Sequence, residues 1–253
     1  MTEDGRLRTT GPELFARYAY PPNELGYCGP GDPHGLLVRG SPEASAEIAR
    51  RAREFEGAWV YLQLIAQASG IADPLDVRVV EAYWLGNDLL DEIDTGWFLE
   101  QLRIRFRGQY GGQWAGGIPD VKASVVPHHA FHVFAVYPWV GLLDRDSDVP
   151  RSVLDQCRIR TGIVEAVDGP RASVRVKPLI WDGARLDIGP PQTIDVRWSD
   201  DGRSMLDCVN VGDTVSVHWD WVCDILATDQ ATSIEGYERR QLDVSNRGLA
   251  STR

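Results

Sequence analysis

The sequence predicts an α+β protein, mainly α-helical over residues 1–150 and rich in β-strands over 151–230, with a polar C-terminal tail over 231–253. Three observations lead there. Between residues 12 and 106 apolar side chains recur three and four apart, the spacing of one helix face. Beyond residue 157 the period falls to two, and an Asp168-Gly169 pair separates two alternating runs, which is a hairpin signal. Between these regions, residues 144–151 are charged, have no apolar period and close on Pro150-Arg151, so they read as a linker.

With 253 residues the chain can bury one large core or two modest ones, and the change of pattern near residue 150 favours two. Its formal net charge of −11 and the lack of any basic run argue against nucleic acid and against an anionic membrane surface as partners. No stretch approaches the roughly 20 apolar residues of a membrane span. The start, Met1-Thr2-Glu3-Asp4-Gly5, is acidic and unlike a signal peptide, so the cytoplasm is the expected location. Four cysteines, at 28, 157, 208 and 223, are too scattered for a secreted disulfide framework and form no CxxC pair, which argues against a zinc ribbon. Each reads either as buried apolar filler or as a ligand or reactive thiol. The Ser-His-Asp order, the phosphate-loop motif and the dinucleotide fingerprint are all missing, so hydrolase, ATPase and nicotinamide chemistry start low.

In chain order, residues 12–20 carry proline at a first helical position and predict a short amphipathic helix that stops at Pro21-Pro22. The loop that follows, dense in Gly and Pro, holds Cys28 and His34, which are candidate metal or substrate contacts; a rigid surface loop is the plainer alternative. Ser41-Pro42 predicts a helix start, with helical spacing continuing through Ala68. Residues 74–85 predict a further helix with Val77, Val80, Glu81 and Trp84 on one face. Residues 89–106 predict one or two more, jointed at Thr95-Gly96. The glycine-rich stretch 108–119 reads as a connector, because no strand precedes it and it has no Lys-Ser/Thr.

Three of the five histidines, His128, His129 and His132, follow Pro127. In a helix starting there, His128 and His132 are four apart and His129 and His132 three apart, so either pair can present two imidazoles to one metal. Imidazole suits iron, zinc, nickel and copper alike. A third ligand could come from Cys28, His34 or a carboxylate such as Glu81, Asp88, Asp91 or Glu92. The plainer alternatives are a core helix whose histidines satisfy buried backbone groups, or a partner-binding surface.

The last third opens with Cys157-Arg158-Ile159-Arg160-Thr161-Gly162-Ile163-Val164, reaches the Asp168-Gly169 turn, and continues through Ala172-Ser173-Val174-Arg175-Val176. It closes with Val211-Gly212-Asp213-Thr214-Val215-Ser216-Val217-His218. A cysteine leading into a β-ribbon with Asp-Gly, followed by Val-Gly-Asp-x-Val-x-Val-His, resembles the HypC-type chaperones of [NiFe]-hydrogenase maturation. The resemblance covers the C-terminal third alone. It implies a small OB-like β-barrel following the helical domain. It also implies a non-enzymatic carrier of an iron fragment bearing cyanide and carbonyl ligands, with a partner maturase and a hydrogenase large-subunit precursor as partners. The family's metal-contacting cysteine falls on Cys157 and its strand histidine on His218. In the family the cysteine is N-terminal and a proline precedes the glycine; here Cys157 is internal and Thr161 stands in the proline position. The alternatives are an iron- or haem-dependent enzyme using His128, His129 and His132, or an interaction scaffold without metal.

Overall fold

The computed structural model describes residues 9–106, 125–145 and 147–251, so the glycine-rich stretch 108–119 lies outside the described residues. Helices come first: α1 (Gly11–Glu24), α2 (Pro42–Ala52), α3 (Glu56–Ala68), α4 (Val77–Trp84) and α5 (Thr95–Arg105), then a short turn α6 (His129–Phe131) and α7 (Val149–Cys157). Seven strands follow, β1 (Arg160–Asp168), β2 (Arg171–Val176), β3 (Leu179–Trp181), β4 (Leu186–Ile188), β5 (Gln192–Arg197), β6 (Thr214–His218) and β7 (Trp221–Ile225), and the long helix α8 (Thr228–Ser251) ends the chain. The protein is α+β. Among the described residues, no helix is long and apolar enough to cross a membrane.

Helix α1 departs from expectation in a way that shapes the whole site. A capping box between Thr10 and Glu13 opens it, but Pro21 and Pro22 lie inside the helix, which runs on to Glu24. Proline lacks an N–H, so the carbonyls four residues earlier lose their helical donors. One of these, that of Tyr18, finds another donor in the barrel, as described below. The stretch expected to be one helix from Ser41 is two. Phe55, with ψ near 80°, breaks it and buries its ring edge-on against Phe15 at 5.2 Å. Ser41 does cap α2, accepting from the Ala44 N–H at 3.1 Å.

Strands β1, β2, β5, β7 and β6 close into a barrel in that order, with β3 and β4 forming a separate two-stranded sheet. The expected β1–β2 hairpin forms, with Asp168 paired to Arg171 as the last residue of β1 and Gly169-Pro170 making the turn. Alternate residues, Val164, Val174, Val176, Val196, Val215, Val217 and Val222, fill the barrel interior.

Helix α1 lies against β6 and β7. The Tyr18 hydroxyl meets Ser216 Oγ at 2.9 Å, Arg17 pairs with Asp224, and the Tyr20 ring sits 4.9 Å from that of Trp221. The largest apolar cluster therefore runs without a break from α1, α3 and α4 to Trp221, Cys223 and Leu226, across the expected boundary near residue 150.

The C-terminal stretch, expected to be a polar tail, is the single helix α8. It docks through polar pairing as much as through Ile234, Leu242 and Leu249. Glu238 pairs with the buried Arg158, and Asn246 exchanges two 2.9 Å hydrogen bonds with the Leu186 backbone.

Candidate metal centre

Helical half and barrel meet around a cavity of about 200 Å3. Its wall includes Cys28, His129, His132, Cys157 and His218, together with Tyr83, Trp84 and Trp219, and among the described residues no charged side chain. Three of these side chains, His129, Cys157 and His218, each buried, place their donor atoms within 4.8 Å of one another. Ligands about 2.1 and 2.3 Å from one ion stand at most roughly 4.4 Å apart, so the group has close to the spacing of a shared coordination sphere and could hold a metal ion.

Each member is positioned by backbone that local chemistry leaves unsatisfied. His218 is the last residue of β6, and its Nδ1–H donates to the Tyr18 carbonyl at 2.8 Å. That carbonyl is free because Pro22, four residues on, has no N–H to offer. With the proton fixed on Nδ1, the lone pair of His218 sits on Nε2, which is fully buried and has no hydrogen-bond partner among the described residues. Burial holds this imidazole well below its usual range, so it is neutral, the form that binds metal.

Cys157 does not lead directly into a strand, as its sequence context suggests; it is the last residue of α7. The final carbonyls of a helix lack intrahelical donors, and here two of them receive donors from the other parts of the site. Gln156 O accepts from the Trp219 N–H at 2.8 Å, and Cys157 O accepts from His129 Nε2–H at 2.9 Å. Burial, with the nearby Cys28 adding to it, pushes the Cys157 thiol far above its usual value. It is therefore a neutral thiol, one that would lose its proton on binding a metal.

His129 donates from Nε2, leaving Nδ1 as its acceptor, 3.3 Å from the Tyr83 hydroxyl. Burial lowers the His129 pKa to about 4. His132 lies on the cavity wall with Nδ1 3.2 Å from the Tyr61 hydroxyl, and its pKa falls to about 3 through burial. Gly57 leaves room for that ring: a Cβ there would lie 3.2 Å from His132 Nε2.

The remaining candidates separate. His128 is not a wall residue. It caps α6, its Nδ1 accepting from the Ala130 N–H at 3.0 Å, and stacks on Tyr237 at 4.4 Å. The expected helical pairing of His128 with His132 fails because the helix starts at His129. From His132 it widens into a π-turn, with the Tyr137 N–H bonded to His132 O at 3.0 Å. Cys28 lines the cavity, its loop pinned by Asn23 Nδ2 donating to Cys28 O at 2.8 Å and to Pro30 O at 2.6 Å. Burial raises the Cys28 thiol to about 12. His34 is half exposed, 4.0 Å from Asp200, and outside the cavity. None of Glu81, Asp88, Asp91 and Glu92 reaches the group; Glu81 bonds to Gln230 and Asn87 instead.

Sequence reasoning missed the aromatic shell. Trp84 packs against His129 and His218, Tyr83 meets His129, and Trp219 lines the cavity beside them; the only signal of this shell was nine tryptophans in a chain of this length. Trp219 sits in the β6–β7 turn at φ 56°, a left-handed conformation that a bulky residue seldom adopts. It is held there by its N–H bond to Gln156 and by stacking on Tyr27 at 4.2 Å.

Comparison with curated proteins finds no match, and comparison with solved structures finds none. A helical half and a barrel that share one core and one cavity are consistent with a single family model spanning both: residues 7–252 match that of a family of unknown function, DUF6390, and the chain belongs to this family.

Proposed function

We propose that this protein is a metallocentre-assembly chaperone that carries an iron fragment for [NiFe]-hydrogenase maturation, gripping it through Cys157 Sγ and His218 Nε2 with His129 as a further ligand. One observation carries the reading. Two residues far apart in sequence, singled out by resemblance to HypC-type chaperones, join a third donor within 4.8 Å in a cavity, and one of them offers a buried, unpartnered lone pair. A thiolate and imidazoles suit a low-spin iron fragment. The five-stranded barrel supports the OB-like reading, with β3 and β4 as an insertion between its second and third strands.

A carrier needs an exit. Tyr27, exposed and stacked on Trp219, brings one side of the cavity to the surface. On this reading a partner maturase loads the fragment there and a hydrogenase large-subunit precursor receives it.

The second reading, an iron-dependent enzyme, is favoured by His129 and His132 sharing the cavity with Cys28. Its haem form fits poorly. Pockets for drug-sized ligands begin at about 300 Å3, and haem is larger than most such ligands, whereas this cavity is about 200 Å3.

The test is Cys157→Ser, with circular dichroism as a check on folding. The variant is expected to lose most of its iron uptake and to abolish maturation of a cognate hydrogenase in the host. Undiminished iron binding would remove Cys157 from the site. Full hydrogenase activity would remove the maturation role and leave the enzyme reading.

A further inference from the structure

The three-residue group leaves a metal one ligand and one negative charge short. A closed tetrahedral centre takes four protein ligands, and His129, Cys157 and His218 supply three. With Cys157 as the group's one thiolate, a divalent ion would bring net positive charge into a cavity lined, among the described residues, by no charged side chain. Burying that charge is costly. A second thiolate cancels it.

Among the described residues the wall holds one other thiol, the free Cys28. It stands within electrostatic reach of Cys157: its charge bears on the Cys157 thiol, and both thiols bear on the same two hydroxyls, those of Tyr83 and Tyr137. The other unused wall residue with a ligand atom, His132, is neutral and already meets the Tyr61 hydroxyl, so it cannot supply the missing charge.

The backbone around Cys28 is held in place. Asn23 Nδ2 donates to the carbonyls of Cys28 and Pro30. Gly29, at φ 83°, packs so closely on Phe55 that a Cβ would lie 2.4 Å from the ring, which leaves the position to glycine. The side chain is what can move. Cys28 is not among the three residues whose donors lie within 4.8 Å of one another, and a change of χ1 rotamer re-aims a cysteine sulfur without disturbing its backbone.

Resting on the metal reading above, we propose that Cys28 is a movable fourth ligand, its thiolate turning inward to complete a shell of two sulfurs and two imidazoles around a divalent, thiophilic ion. Each sulfur loses its proton to solvent as its bond to the metal forms. His129, Cys157 and His218, all buried, are the fixed floor of the centre. Cys28 is only partly buried and follows the exposed Tyr27, so it is the ligand that closes last and opens first.

The test titrates ferrous iron anaerobically into the full-length wild-type protein and the Cys28→Ser variant. Affinity, thiolate-to-iron charge-transfer absorption and the number of sulfur neighbours from X-ray absorption are measured, with the thermal midpoint of the metal-free proteins as a check on folding. Two sulfurs are expected in the wild type. Cys28→Ser is expected to retain one, to keep about half of the charge-transfer absorption and to bind at least about tenfold more weakly. Should Cys28→Ser fail to fold, the sulfur count of the wild type carries the test alone. One sulfur in the wild type, or a Cys28→Ser variant whose affinity and absorption equal those of the wild type, overturns the fourth ligand and spares the metal reading. Failure of the wild-type protein to bind iron overturns both.

Discussion

At the scale of single residues, the site depends on backbone groups that lack their ordinary partners. Pro22 is the clearest case, because the donor it lacks is what lets His218 reach the Tyr18 carbonyl at 2.8 Å. Pro22→Ala supplies an N–H that completes the helical bond, and removes an interior proline that costs about 3 kcal/mol in an ordinary helix. Stability is therefore expected to hold or rise, while His218 loses the partner that sets its tautomer and orientation. Loss of such an orienting bond typically weakens metal binding about 10- to 100-fold. Calorimetric iron titration would measure the affinity, and nitrogen NMR of the imidazole the proton position. Unchanged affinity with Nδ1 still protonated would show that the proline has no part in the site. The sequence alone made Cys157 and His218 visible through a motif, and His129 through helical spacing. It could not separate His129 from His128 and His132, because that separation depends on a helix starting two residues late and widening at His132. The role of Pro22 was hidden too, since it depends on a carbonyl four residues earlier and a ring 196 positions later.

At the scale of elements, the end of α7 is fixed by a buried charge cluster. Arg158 meets Asp155 at 2.8 Å, pairs with Glu238 of α8 and donates to the Lys177 carbonyl at 2.5 Å, while Asp155 accepts from the Leu179 N–H at 2.7 Å. This is why α8 docks although its composition reads as a tail: its anchoring residue is a glutamate, and no hydropathy pattern reports a buried pair. Removing Arg158 leaves Glu238 without its cation and Asp155 with only the 3.9 Å approach of Arg160; breaking a buried pair in this way costs about 3–5 kcal/mol. Arg158→Ala is expected to lose stability in that range and to free α8, visible as fast amide exchange along Thr228–Ser251. Because Cys157 is the adjacent residue, iron affinity should fall as well. A loss below about 1 kcal/mol, the ordinary value of a surface pair, would show that the cluster is solvated rather than buried. The strands were the most legible elements, since period two and Asp168-Gly169 are local signals. The helix ends were less so, because Phe55 breaks a helical pattern to reach Phe15, forty residues away.

At the scale of the whole molecule, the composition change near residue 150 suggests a barrel with a helical domain attached, each able to stand alone. The packing differs. Ile159, Met205, Trp221, Cys223 and Leu226 belong to the same apolar cluster as Tyr18, Tyr61 and Trp84, so the barrel's outer face and the helical core form one interior. The ligand group is divided likewise: His218 comes from the barrel, Cys157 from the helix before it, and His129 from the first half. A fragment of residues 151–253 would keep the cysteine and the strand histidine that resemble the HypC-type pair. It would lose the Tyr18 carbonyl, His129, Trp84 and the apolar cover over Trp221. Exposing a buried aromatic side chain costs about 1.5–3 kcal/mol, several are exposed at once, and folded domains hold only about 5–15 kcal/mol in total. The fragment is therefore expected to lack a cooperative unfolding transition and to bind iron at least 100-fold more weakly than the whole chain. Mixing it with a 1–150 fragment should recover binding only if the halves reassemble into a stable complex. Cooperative unfolding of the isolated fragment with full iron affinity would show instead that the barrel is a complete carrier by itself, and that the helices serve a purpose apart from the metal.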